Sequence, residues 1–251
     1  MPVMDEFKEE REALKNGTFK EKLMYFIYYY KWHVLAVIII AAIVISLLHA
    51  FLSRKDIAFY GVFLNAVETG ANPDYSSDFG NAMGIDLEEY DVYFDSTVFI
   101  DMTKMDEATV ASSQKIMVYL AAGDLDMIVT DTGSLEHYAY LDTLTDLRTL
   151  LSPEQTEKYE PYFYYVDKKI VTERAAAVDS MDMEYVPVYP ENPFDPSSMA
   201  EPVPVGICMD SCEVLRENYR FKEGNLVFGV FVTSKHTDLA LEYLEYTFPD
   251  E

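Results

Sequence analysis

Cysteine is nearly absent from this chain: two among 251 residues, Cys208 and Cys212 in "GICMDSC". That excludes a disulfide-stapled scaffold and a Cys-rich metal site, and two free thiols are the default expectation. Histidine is equally sparse. His33, His49, His137 and His236 form no H-x-x-x-H or Cys/His cluster, so zinc is not expected. There is no P-loop and no G-x-G-x-x-G, and nothing in the sequence asks for a cofactor. No EF-hand loop organises Asp179, Asp182 and Glu184 for calcium. "SSQK" (112–115) matches the S-x-x-K of penicillin-binding proteins, but S-D-N and K-T-G are missing, and the expectation is that the chain is not an enzyme.

Basic residues are also scarce, 19 Lys+Arg against 44 Asp+Glu. Residues 1–55 hold 8 basic and 6 acidic side chains, leaving 11 against 38 beyond, a balance of −27. Such a surface repels nucleic acid and anionic headgroups, which removes both as partners of that part.

Charge is missing altogether from Val34 to Leu52. A helix rises about 1.5 Å per residue, so about 20 apolar residues cross a hydrocarbon core of about 30 Å. Tyr28, Tyr30 and Trp32 flank one end and Arg54 and Lys55 close the other, as interfacial anchors do. No A-x-A site follows the run, which reads as an uncleaved signal anchor. Lys15, Lys20, Lys22 and Lys31 precede it, whereas after Lys55 the next basic residue is Lys104. This bias orients the chain: a cytoplasmic N-terminal helix over 1–32, a membrane helix over 33–53 in contact with the bilayer, and an extracytoplasmic domain over 56–251.

In that domain "IAFYGVFLNA" (57–66) is apolar on both faces, a strand covered from two sides. Residues 67–84 read as a loop, and "DVYFDSTVFI" (91–100) as a strand. A helix follows over 103–122, with Thr103 and Asp106 spaced as a cap, Val110, Met117, Leu120 and Ala121 on its apolar face, and Gly123 as its stop. Next come a strand over 125–131 and a helix from Thr132. Residues 141–160 continue helically, with Ser152, Pro153 and Gln155 forming a capping box. Six prolines between Pro187 and Pro204 preclude regular structure there, "NLVFGVFV" is a last strand, and 233–248 is a closing helix. Alternating strands and helices imply an α/β fold with a parallel sheet.

The stretches "LAAGDLDMIVTDTGSLEHYAYLDTLTDL" (120–147), "EPVPVGICMDSCEVL" (201–215) and "VFGVFVTSKHTDLALEYLEYTF" (227–248) resemble the extracellular solute-binding proteins of ABC transporters. The chain is similar to single-span membrane proteins of Gram-positive anaerobes that carry a reduced domain of this kind. The resemblance implies a periplasmic-binding-protein type II-like fold with a reduced second lobe. It also implies a small-molecule solute, and a neighbouring transporter or sensor protein in the membrane. The rival is a structural or scaffolding envelope protein without a ligand, and a weaker one is an envelope hydrolase.

In open parallel sheets ligands sit at the carboxyl ends of the strands. That selects Asn65 after the first strand, Asp131, Thr132 and Ser134 after "MIVT", and Asp210 and Ser211 after "GICM". The helix start after Asp131 favours an anionic group on the ligand. Capping and turn roles compete for the same residues. The aromatic run Tyr162–Tyr165 is a stacking surface or core.

Overall fold

A computed structural model describes residues 18–248, apart from Met102, Met105, Met183 and Glu223. The chain divides into two units, Met1–Arg54 and Lys55–Glu251. Residues 1–17, the first part of the expected cytoplasmic segment, lie outside the described residues.

The described part of the first unit contains the helix α1 (Phe19–Leu52). Its stretch Tyr30–Leu52, with mean hydropathy 2.9, is the one helix segment among the described residues long and apolar enough to cross a membrane. Its 23 residues reach about 35 Å at about 1.5 Å each. Leu35, Ile40, Leu47 and Phe51 are all exposed, and the stretch is apolar around its circumference. His49 Nδ1 lies 3.3 Å from Ser53 Oγ at the end of the run.

The second unit contains β1 (Asp56–Phe63), β2 (Ala66–Glu68), α2 (Tyr75–Ala82), β3 (Tyr90–Asp95), α3 (Glu107–Ala122), β4 (Met127–Asp131) and α4 (Thr132–Ala139). After these come α5 (Pro153–Tyr159), β5 (Phe163–Asp167), α6 (Lys168–Asp179), β6 (Pro202–Cys208), α7 (Glu213–Asn218), β7 (Tyr219–Phe221), β8 (Leu226–Val230) and α8 (Thr237–Thr247). Six strands form one sheet in the order β3-β1-β4-β8-β6-β5, and β2 pairs with β7 in a separate ribbon. β3, β1 and β4 are parallel, as the strand–helix alternation implies. The other three pairings are antiparallel, so the expected parallel arrangement covers β3, β1 and β4 and the sheet as a whole is mixed. The reason is local. The chain between Cys208 and Leu226 stays at one end of the sheet, where β7 joins β2, so β8 must return in the opposite direction to β6.

Both sheet faces are covered. Phe59 and Phe63 of β1 enter one core with Phe79, Phe94, Phe228 and Tyr243. Tyr60, Val62 and Leu64 enter the other with Ile116, Leu120 and Phe231. The alternation of β1 therefore serves two layers, as its doubly apolar sequence requires.

Several expectations shift. The supposed loop contains α2, because Tyr75 and Phe79, four apart, both reach the core. α3 begins at Glu107, capped by Asp106, which accepts from Thr109 N, while Thr103 bonds Asp101 instead. Its buried face is Thr109, Ile116 and Leu120; Val110, Met117 and Ala121 are exposed. A phase error of one residue rotates a helical stripe by about 100°. Gly123, at φ 66°, ends the helix as expected. The capping box of Ser152 and Gln155 is present, but helical structure in 141–160 is confined to Leu147–Thr149 (3-10), α5 and the start of the 3-10 turn Glu160–Tyr162. The tyrosine run joins β5, and Tyr164 is buried in the core. β5 and α6 add to the same sheet and layer, so the described residues form no separate second lobe.

Candidate functional site

From β1 the chain crosses to β3 on one side and then, through α3, to β4 on the other, so the crossovers diverge at the β1/β4 boundary. A crevice forms at the carboxyl ends of strands at such a point. Asn65 lies there, just beyond β1, with φ 61°, a left-handed conformation that Asn tolerates.

The structure brings Asn65, Asp131 and Ser134 together. Asn65 Nδ2 donates to Ser134 Oγ at 3.0 Å, and Asn65 Oδ1 accepts from Ile100 N at 2.8 Å. Asp131 accepts from Ser134 N at 3.0 Å and from Ser134 Oγ at 2.7 Å. This trio is a brace tying the end of β1 to the chain beyond β3 and to the start of α4. The Asp131 carboxylate also occupies the N-terminus of α4, so the place expected to favour an anionic ligand is filled from within. Thr132 N donates to Asn225 O at 3.0 Å. Asp210 accepts from Leu226 N at 2.8 Å and from Arg216 Nη2 at 2.6 Å, which fixes the turn after β6, while Ser211 is exposed. Asp210 and Ser211 are not brought to the crevice that Asn65 lines.

That crevice is a cleft of about 470 Å³ between the segment after β3, the start of α3 and the β2/β7 ribbon. Asp101 and Asp106 line it from the segment after β3 and the cap of α3, Arg220 and Lys222 from the ribbon side, and Phe99 and Phe221 add apolar lining. Hydrogen bonds from the Thr103 hydroxyl, Thr103 N–H and Lys104 hold the Asp101 carboxyl far below the usual range. The Thr109 N–H lowers the Asp106 carboxyl as well, so both are anions at neutral pH. Of these six only Asp106 was singled out from the sequence, and then as a helix cap. The available signal was "YRFK" (219–222), two cations alternating along a strand in a chain short of them.

Lys115 Nζ is 2.6 Å from the buried Asp95 Oδ2, committed to an ion pair. At the opposite end of β4, Asp126 is 2% exposed and accepts from Tyr60 N at 2.9 Å and Ser234 Oγ at 2.7 Å, with His236 Nδ1 3.1 Å away. These are the residue types of a nucleophilic triad in the wrong order: the hydroxyl donates to the carboxylate rather than to the imidazole. Among the described residues no group of three or more His, Cys, Asp or Glu side chains is placed to hold a metal ion. Cys208 and Cys212 are free, and burial pushes the Cys212 thiol up to about 12.

No protein-family model matches the chain, and no curated protein matches it. Among solved structures, a candidate oligosaccharide periplasmic-binding protein from Synechococcus sp. MITs9220 is 11% identical with a TM-score of 0.36, over 74% of this chain and 72% of that one. At that level of similarity, the oligosaccharide in its description says nothing of what this chain binds.

Proposed function

We propose that the chain is a single-pass membrane protein, oriented with its N-terminus in the cytoplasm, whose residues from 56 onward form a non-catalytic extracytoplasmic domain that binds a small solute. The observation that carries this reading is the cleft at the point where the crossovers diverge, which is lined by both charged and apolar side chains. The uncovered apolar stretch Tyr30–Leu52 supports the tether, and the Lys residues before it support the orientation. Tethering holds the domain at high effective concentration beside a transporter or sensor partner in the same membrane. A scaffolding role without a ligand is the second reading, favoured by the internal commitment of the Asn65, Asp131 and Ser134 side chains.

The two separate by thermal-shift screening of the full chain in detergent against sugars, amino acids, peptides and metal ions. Saturable stabilisation by one class is expected, about 5 °C or more at a hundredfold excess over Kd. It should vanish in Ala108→Trp, where an exposed alanine lining the cleft is replaced by a bulky ring. Stabilisation by no class would leave the scaffolding reading.

A further inference from the structure

The cleft holds four charges that do not neutralise one another. Arg220 and Lys222 have no ion-pair partner among the described residues, although the chain carries 44 acidic side chains. The local reason lies in the ribbon. Val67 pairs with Arg220, and Lys222, two residues along, shares that face. Glu68, the ribbon's own acid, alternates to the other face and accepts a hydrogen bond from Ser96 at 2.9 Å. On the facing wall the carboxylates cannot swing across. Asp101 is held by Thr103 Oγ1 at 2.6 Å and Lys104 Nζ at 3.1 Å, and Asp106 by Thr109 N at 2.8 Å. Opposite charges line one cavity with no ion pair joining them among the described residues, and exposed Phe99 and Val67 line it as well.

We infer that this cleft takes a small zwitterion with an apolar body, of amino acid to short-peptide size: its ammonium against Asp101 and Asp106, its carboxylate against Arg220 and Lys222, its side chains over Phe99 and Val67. This rests on the solute-binding reading above and specifies its ligand. A planar guanidinium takes a carboxylate with two parallel hydrogen bonds, and fixed carboxylates accept from an ammonium without reordering. The volume of about 470 Å³ lies within the range of small-ligand sites. The competing chemistries fit less well. A neutral sugar desolvates four charges and pairs none of them. A polyanion meets Asp101 and Asp106, and a polyamine meets Arg220 and Lys222.

The test uses the full chain in lipid nanodiscs and isothermal titration with four probes: the dipeptide Leu-Phe, N-acetyl-Leu-Phe, Leu-Phe amide and maltotriose. Leu-Phe is expected to bind saturably, and either capped peptide, each lacking one charge, to bind about tenfold or more weakly. Arg220→Met and Lys222→Met, at exposed positions whose side chains have no ion-pair partner among the described residues, should weaken Leu-Phe by a similar factor. They should leave Leu-Phe amide unaffected and thermal unfolding of the protein unchanged. Equal binding of all three peptides, or maltotriose binding lost in Ala108→Trp but retained in Arg220→Met, would overturn the zwitterion while leaving a solute-binding cleft. No saturable binding by any probe, with no hit in the wider thermal-shift screen, would overturn both.

Discussion

Asp95→Ala is expected to lower the stability of the 55–251 unit by about 3 kcal/mol in urea unfolding at pH 7. Asp95 is wholly buried and accepts from four donors: Lys115 Nζ at 2.6 Å, the Tyr60 hydroxyl at 2.9 Å, Thr97 N at 2.9 Å and the Thr97 hydroxyl at 2.6 Å. Removing the carboxylate strands the buried Tyr60 hydroxyl, whereas Lys115, partly exposed, can turn to water. That escape keeps the loss below what a fully buried pair would cost. The same site fixes a pH signature. Burial alone would raise the Asp95 carboxyl, but hydrogen bonds from Lys115, Thr97 and Tyr60 outweigh it and hold it below its ordinary 3.8. A group whose folded value is depressed contributes stability that is present above the unfolded value and is lost as pH falls through the folded one. The gap between wild type and Asp95→Ala should therefore be full at pH 7 and pH 5 and shrink below about pH 4. A gap that widens on acidification would contradict this account of the site.

Tyr243→Ala is expected to cost about 4 kcal/mol, the largest effect of any single truncation considered. Tyr243, on α8, has no exposed surface, and its ring centre lies 5.2 Å from Phe94, 5.4 Å from Phe79 and 6.4 Å from Phe228. It thus joins α8, α2, β3 and β8 in one aromatic cluster, and truncation leaves a cavity that rigid rings from three elements cannot close. Tyr243→Phe keeps the packing and removes a hydroxyl 3.3 Å from that of Tyr75, so about 1 kcal/mol is expected. Equal losses in the two variants would show that the hydroxyl pair, not the ring packing, holds this face together.

The sequence was most legible where periodicity and capping agreed. β1 showed its two-sided burial through Phe59 and Phe63 against Tyr60, Val62 and Leu64. α5 was announced by Ser152, Pro153 and Gln155, α3 by its stop at Gly123, and α8 by Ala240, Tyr243 and Leu244. α2 was hidden because Asn72, Pro73, Ser76, Ser77 and Gly80 read as turn formers, while the two aromatics that make it a helix act only through the tertiary core. β5 was hidden for a related reason: whether a tyrosine run packs inward or faces a ligand depends on which strand it pairs with, here β6. Of the residues selected at strand ends, Asn65, Asp131 and Ser134 do meet, but they meet one another. Their position follows from topology, whereas their hydrogen-bond partners follow from the left-handed turn at Asn65, which the sequence does not specify. The basic residues of the cleft lie in and just beyond β7, in a ribbon with Ala66–Glu68, while Asp101 and Asp106 lie between β3 and α3, and no local pattern links these distant stretches.

The claim on which the functional reading depends is that the acidic unit stands outside the membrane. It is tested most directly by placing a cysteine at the exposed position 191, Glu191→Cys, and treating intact cells with a membrane-impermeant maleimide. Burial raises both native thiols, Cys208 and Cys212, so they react slowly and leave the new one to report. Labelling of Glu191→Cys in intact cells, to the extent seen after lysis, is the predicted result; labelling only after the cells are broken would contradict it.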